Sequence, residues 1–135
     1  MNKKIIYLVR KEKLCIAHRL YNDKLSHQEN INLYDKCINI HGHNFTLFVT
    51  IKAKINDETG MVMNFKELKT IIKENVFDKM DHKYLNADIE EFKTLVPTAE
   101  NVAYVIWQWL APKLDNLHEI KLEETDNNTT IYRGE

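Results

Sequence analysis

The chain has 135 residues, 44% of them hydrophobic and 29% charged, with a formal net charge of −1. That length suits a single domain, taken here as residues 1–135. The balanced charge supplies no basic footprint for nucleic acid and no attraction to anionic membranes.

The N-terminal apolar run from Ile5 to Val9 is too short for the core of a signal peptide and is closed by Arg10 and Lys11. No stretch reaches the ~20 apolar residues of a membrane span. A cytoplasmic location is expected, where Cys15 and Cys37 would stay thiols. The first expected strand is KKIIYLVR, residues 3–10, and Cys15 in KLCIAH falls in a further strand-like stretch as a packing residue. Residues 22–36 are polar with scattered apolar positions and are left as a connection or short helix. From Phe45 to Ile55 apolar and polar residues alternate, with Phe48 the exception, which marks a half-buried antiparallel strand.

In NFKELKTIIKENVFDK, residues 64–79, Phe65, Leu68, Ile72 and Val76 repeat at three and four, and Asn64 with Glu67 gives a capped start. Residues 81–95 lack a sustained period. In TAENVAYVIWQWLAP, residues 98–112, the stripe is Val102, Val105, Ile106, Trp109 and Leu110, with Thr98 as cap and Pro112 as stop. EIKLEET and TTIYR then form a hairpin around Asp126, Asn127 and Asn128. Four antiparallel strands with two helices on one face make an α+β domain.

The stretch CINIHGHNF, residues 37–45, carries the chemistry. Residues i and i+2 of a strand share a face, so His41 and His43 point the same way, and Gly42 between them permits close backbone approach. Neutral imidazoles on one face suit zinc. The chain holds six histidines, so the pair alone is a weak signal and needs a third ligand. If the first two strands pair antiparallel, His18 lies beside both. Three histidines leave an open coordination position, the pattern of a catalytic metal. His27 and His118 have polar surroundings and read as solvated. Cys37 sits four residues before His41, where a cation would favour its thiolate. Asp81 and His82 form a pair able to relay protons. Glu100 lies in a helical first turn, and Glu123 or Glu124 could grip a guanidine-like N–H pair.

Taken together, AHRLY, CINIHGHNF, TGMVMNFKELK, DHKYLN, PTAENVAYVIW and ETDNN…YRGE resemble, nearly end to end, the 6-pyruvoyl-tetrahydropterin synthase family, which includes the 6-carboxytetrahydropterin synthases of queuosine biosynthesis. The resemblance implies a tunnelling fold, or T-fold, assembled as a dimer of trimers with active sites at subunit interfaces. It implies zinc on His18, His41 and His43, and catalysis by Cys37 with Asp81 and His82 across a subunit boundary. It places the pterin on Glu124, with Glu100 and Thr98 in the same pocket. The implied substrate is 7,8-dihydroneopterin triphosphate, with no nucleic-acid or membrane partner. Ile16 and Ala99 depart from the family's usual residues at those positions. The spacing C-x3-H-G-H resembles the queuosine type, whereas the long segment between His18 and Cys37, GMVMN and ETDNN resemble the animal type. Because the Cys37 loop shapes the site directly, the expected product is 6-carboxytetrahydropterin with release of acetaldehyde and triphosphate. The alternatives are a pyruvoyl-forming enzyme and a non-catalytic zinc- or pterin-binding paralogue.

Overall fold

The computed structural model describes residues 4–135, so Lys3, at the start of the first expected strand, lies outside the described residues. Strand β1 (Ile5–His18) runs much further than the first apolar run suggested. It pairs antiparallel along its whole length with β2 (His41–Lys54), from Ile5 opposite Lys54 to His18 opposite His41. Polar residues such as Lys11 and Lys13 do not end β1, because its two faces have different fates. Leu14, Ile16 and His18 are buried beneath the helices, while Tyr7, Val9 and Lys11 lie on the other face and are exposed.

Between these strands, residues 22–36 fold around helix α1 (His27–Tyr34). Ser26 caps it through a reciprocal box, its Oγ accepting from the Glu29 N–H at 3.1 Å. Buried Asn30 ties the preceding loop down, accepting from the Asn22 N–H at 2.8 Å and donating to the Asn22 and Ser26 carbonyls.

Helix α2 (Phe65–Ile72), capped by Asn64, continues through a π-helical turn at Lys73–Phe77 into α3 (Asp78–Met80). Leu68, Ile72, Val76 and Met80 are buried along this rod. Phe65, expected in the stripe, is instead 52% exposed, one turn too early to reach the sheet. Strand β3 (Lys83–Tyr84) adds a parallel edge to β1 at Ile16 and Ala17. Helix α4 (Leu85–Asp88) and a 3-10 turn at Glu90–Lys93 then bury Leu85, Ile89 and Phe92. Helix α5 (Ala99–Leu110) lays Val102, Val105, Ile106 and Leu110 on the core, with Trp109 half-buried. Strands β4 (Leu117–Glu123) and β5 (Thr129–Tyr132) complete the sheet in the order β3-β1-β2-β4-β5.

The α+β layering is as the sequence indicates, with a fifth strand in place of four. The two-residue β3 carries too little pattern to be seen in sequence. The sheet contributes Phe45, Leu47, Val49, Ile51, Ile120 and Leu122 to one core beneath α2 and α5. Among the described residues, no helix is long and apolar enough to cross a membrane.

Candidate metal centre and adjoining pocket

The β1–β2 register brings the end of one strand to the start of the other, so His18 faces His41 directly and His43 lies one same-face step along β2. Potential ligand atoms of His18, His41 and His43 all lie within 4.8 Å of one another, the arrangement that could hold a metal ion. Ring centroids are separated by 4.6 Å for His18–His41 and 5.0 Å for each of the other two pairs. Gly42 is held close to the neighbouring strand: a Cβ there would stand 3.3 Å from the Ile16 carbonyl oxygen.

Backbone carbonyls fix the rings. His18 Nδ1 donates to the Pro97 carbonyl at 2.8 Å, and His41 Nδ1 to the Asn39 carbonyl at 2.7 Å. Both bonds leave Nε2 as the lone-pair nitrogen. His18 is fully buried and its Nε2 has no hydrogen-bond partner. An orphaned buried acceptor normally costs stability, and here it points among two more imidazoles. Burial lowers the His18 pKa to about 4, reinforced by the neighbouring His41 and His43. Burial also lowers that of His43, against the opposing pull of Glu124. Both shifts favour the neutral imidazole at His18 and His43, the form that ligation requires. The donor set fits a divalent metal favouring nitrogen, and the carbonyls that orient the rings are the usual outer partners of such ligands.

Glu124 Oε1 stands 4.0 Å from His43 Nε2, too far for a hydrogen bond, and links the histidines to a pocket of about 790 Å³. Thr98, Glu100 and Glu124 all line it, with Ala99, Tyr34 and Asn128. That volume is ample for a bicyclic ligand. The hairpin sets Glu124: its N–H donates to the Asn128 carbonyl at 3.0 Å, and Thr125 Oγ1 accepts from the N–H groups of Asn127 and Asn128. Thr98 Oγ1 caps α5 by accepting from the Asn101 N–H, so Pro97 and Thr98 join the metal centre to the pocket wall. The pocket contribution of Tyr34 was not evident in sequence, although a capping box at Ser26 and Glu29 would have revealed α1. Pro97 and Asn39 act through main-chain carbonyls, which side-chain identity does not disclose.

Cys37 lies half-buried in a 3-10 turn at Asp35–Ile38, outside the three-histidine group. Its carbonyl accepts from the Leu20 N–H at 2.8 Å, which fastens this turn beside the end of β1. Asp81 and His82 sit at the β3 edge. Asp81 Oδ1 accepts from the Cys15 N–H at 2.9 Å, and Oδ2 lies 3.6 Å from His82 Nε2. His82 adopts a positive φ of 61°, its N–H donating to the Cys15 carbonyl at 2.7 Å, and its side chain is 78% exposed. Among the described residues no hydrogen bond or ion pair joins this pair to Cys37. His27 stands beside Tyr21 and His118 against Tyr7, both away from the cluster.

The family model for 6-pyruvoyl tetrahydropterin synthase matches residues 7–135. A 6-pyruvoyl tetrahydrobiopterin synthase of Dictyostelium discoideum is 51% identical over 131 residues, 96% of this chain and 97% of the relative. One from Homo sapiens is 44% identical over 123 residues, covering 88% and 85%. The structure of Caenorhabditis elegans 6-pyruvoyl tetrahydropterin synthase superposes with a TM-score of 0.94 at 34% identity, covering all of both chains. The fold is the T-fold. These relatives correct the expectation of a carboxy product: the names carried by full-length matches are those of pyruvoyl-forming enzymes. The physical reason is that the short Cys37 spacing is one local turn, closed between the Asn39 N–H and the Lys36 carbonyl, and a single turn is a small part of what distinguishes the chain. Similarity spread over nearly the whole chain outweighs it. The chain belongs to the 6-pyruvoyl tetrahydropterin synthase family.

Proposed function

We propose that this protein is a metal-dependent lyase that eliminates triphosphate from 7,8-dihydroneopterin triphosphate and forms a 6-pyruvoyl tetrahydropterin. The observation that carries the reading is the three-histidine cluster, with its buried unpartnered His18 Nε2, set beside the Glu124 pocket. The reaction is redox-neutral: the ring gains the two electrons that the side chain loses, and tripolyphosphate departs. No external oxidant is needed.

His18, His41 and His43 would hold the ion, and zinc is the choice for three neutral imidazoles with an open position. When bound, such an ion supplies Lewis-acid polarisation of the substrate's side-chain oxygens and so acidifies the adjacent C–H. The Glu124 carboxylate accepts from the pterin 2-amino and N3–H groups as a bidentate pair, while Glu100 and Thr98 close the pocket around the ring. Cys37, as thiolate, removes the side-chain proton, and Asp81 orients His82 to move a proton on the opposite face.

The exposure of His82 supports an intersubunit site, in which the Asp81–His82 pair of one copy serves the Cys37 of the next. The uncovered sheet face supports assembly as a dimer of trimers: Tyr7, Val9 and Ile131 are 53%, 45% and 49% exposed there. The chain, residues 1–135, then works as one T-fold domain acting on a small-molecule pterin in the cytoplasm.

The test is turnover of dihydroneopterin triphosphate by zinc-loaded protein, followed by chelation and readdition of metal. Activity lost with the chelator and restored by zinc is expected. No turnover by fully loaded protein would overturn the reading and favour a pterin-binding paralogue.

A further inference from the structure

Among the described residues, two besides glycine have a left-handed φ: His82 at 61° and Asp35 at 50°. Each stands at one half of the proposed proton chemistry. His82 belongs to the relay pair itself, and Asp35 lies two residues before Cys37. A side chain held in such a region is strained, and the strain persists only where the surroundings over-determine it. At His82 the bonds of Asp81 and His82 to the Cys15 backbone do this.

Asp35 is the joint at which helix α1 ends and the 3-10 turn of Cys37 begins. Its φ of 50° and ψ of −131° match the first corner of a II′-type turn, a geometry that glycine dominates. Aspartate is among the few other residues that tolerate a positive φ. The joint is pinned on both sides. The Asp35 N–H donates to the Ile31 carbonyl and closes the last turn of α1. Downstream, the Asn39 N–H donates to the Lys36 carbonyl at 3.1 Å, and the Leu20 N–H to the Cys37 carbonyl at 2.8 Å. Tyr34, just before the joint, and Leu20, which fastens the turn, both line the pocket of Glu124. The turn is therefore held along the pocket wall, and its direction is set at Asp35. A right-handed φ at this position would instead carry the chain on as a further turn of helix. The Asp35 side chain is exposed and, among the described residues, its carboxylate has no hydrogen-bond or ion-pair partner.

We propose that Asp35 is a positioning residue: its left-handed backbone, and not its carboxylate, turns the chain out of α1 and seats the Cys37 turn beside the Glu124 pocket. The use made of the Cys37 thiol rests on the function proposed above. The role of the joint rests on the geometry alone.

The experiment is alkylation of the zinc-loaded protein by iodoacetamide, with each thiol followed by peptide mass spectrometry. It needs no turnover, so an inactive enzyme would leave its result standing. The wild type, Asp35→Gly and Asp35→Ala are compared. Both variants lose the carboxylate alike and differ in whether position 35 accepts a positive φ. Cys15, in the middle of the β1–β2 pairing, is the internal control. The expected result is that the half-buried Cys37 reacts roughly fivefold or more faster in Asp35→Ala than in Asp35→Gly, the lower end of the cost of holding a side chain in such a region. Cys37 in Asp35→Gly should react much as in the wild type, and Cys15 should react alike in all three. Equal Cys37 rates in the two variants would overturn the proposal, because the backbone would then make no difference. So would a rise at Cys15 alongside Cys37, which would mean a general loosening or failure to fold and not a local joint.

Discussion

At the scale of single residues, the account divides labour among groups that stand apart in the chain. The thiol of Cys37 lies outside the three-histidine cluster, so it should contribute to proton removal and not to metal retention. Cys37→Ala is therefore expected to lower kcat by about 10² to 10⁴-fold, with metal content by atomic absorption unchanged. Glu124 should show a different signature. Glu124→Gln keeps the shape of the pocket but loses the charge that would face the pterin N–H groups of the proposed substrate, at about 1.5–3 kcal/mol. Its effect should appear chiefly in the dissociation constant for a non-reacting pterin, measured by fluorescence quenching. The placement of the histidines was legible because it is local: two histidines two apart in a strand must share a face. Tyr34 and the carbonyls of Pro97 and Asn39 were not, because a main-chain oxygen carries no mark in sequence and residues 22–36 show no period that would tell a connection from a short helix.

At the scale of elements, the centre depends on how closely β1 and β2 approach. A methyl group at position 42 would meet the Ile16 carbonyl at 3.3 Å, and that carbonyl belongs to the strand that carries His18. Gly42→Ala should push the strands apart by a few tenths of an ångström, cost about 1–3 kcal/mol as an overpacked site, and weaken zinc binding in a competition titration with a chromophoric chelator. Thr98 gives a second case. Its hydroxyl caps α5 one residue after the carbonyl that orients His18. Thr98→Ala should lower stability by about 1 kcal/mol, read as a fall in Tm. The long alternation of β2 and the stripe of α5 were visible because each repeats over ten or more residues on one buried face. The full length of β1 was hidden by lysines on its open face. β3, α4 and the turn at Glu90–Lys93 were hidden because each is too short to repeat its period.

At the scale of the whole molecule, one chain leaves His82, beside half-buried Asp81, exposed at a sheet edge and Cys37 elsewhere, which the proposed assembly reconciles. Cys37→Ala and His82→Ala should each be inactive alone. Reassembled together in equal amounts, they should regain activity in about a quarter of the sites, those with an intact thiol from one copy and an intact histidine from its neighbour. No recovery would mean that each site is built from one chain. The product cannot be read from one turn at this scale. The spacing after Cys37 pointed to a carboxy pterin, while the matches over nearly the full chain carry the name of the pyruvoyl synthases.

The central claim is most directly tested by a mass spectrum of the products formed when zinc-loaded protein is incubated with 7,8-dihydroneopterin triphosphate. The account predicts a 6-pyruvoyl tetrahydropterin and tripolyphosphate, with all side-chain carbons retained. A pterin shortened by two carbons, accompanied by acetaldehyde, would contradict it.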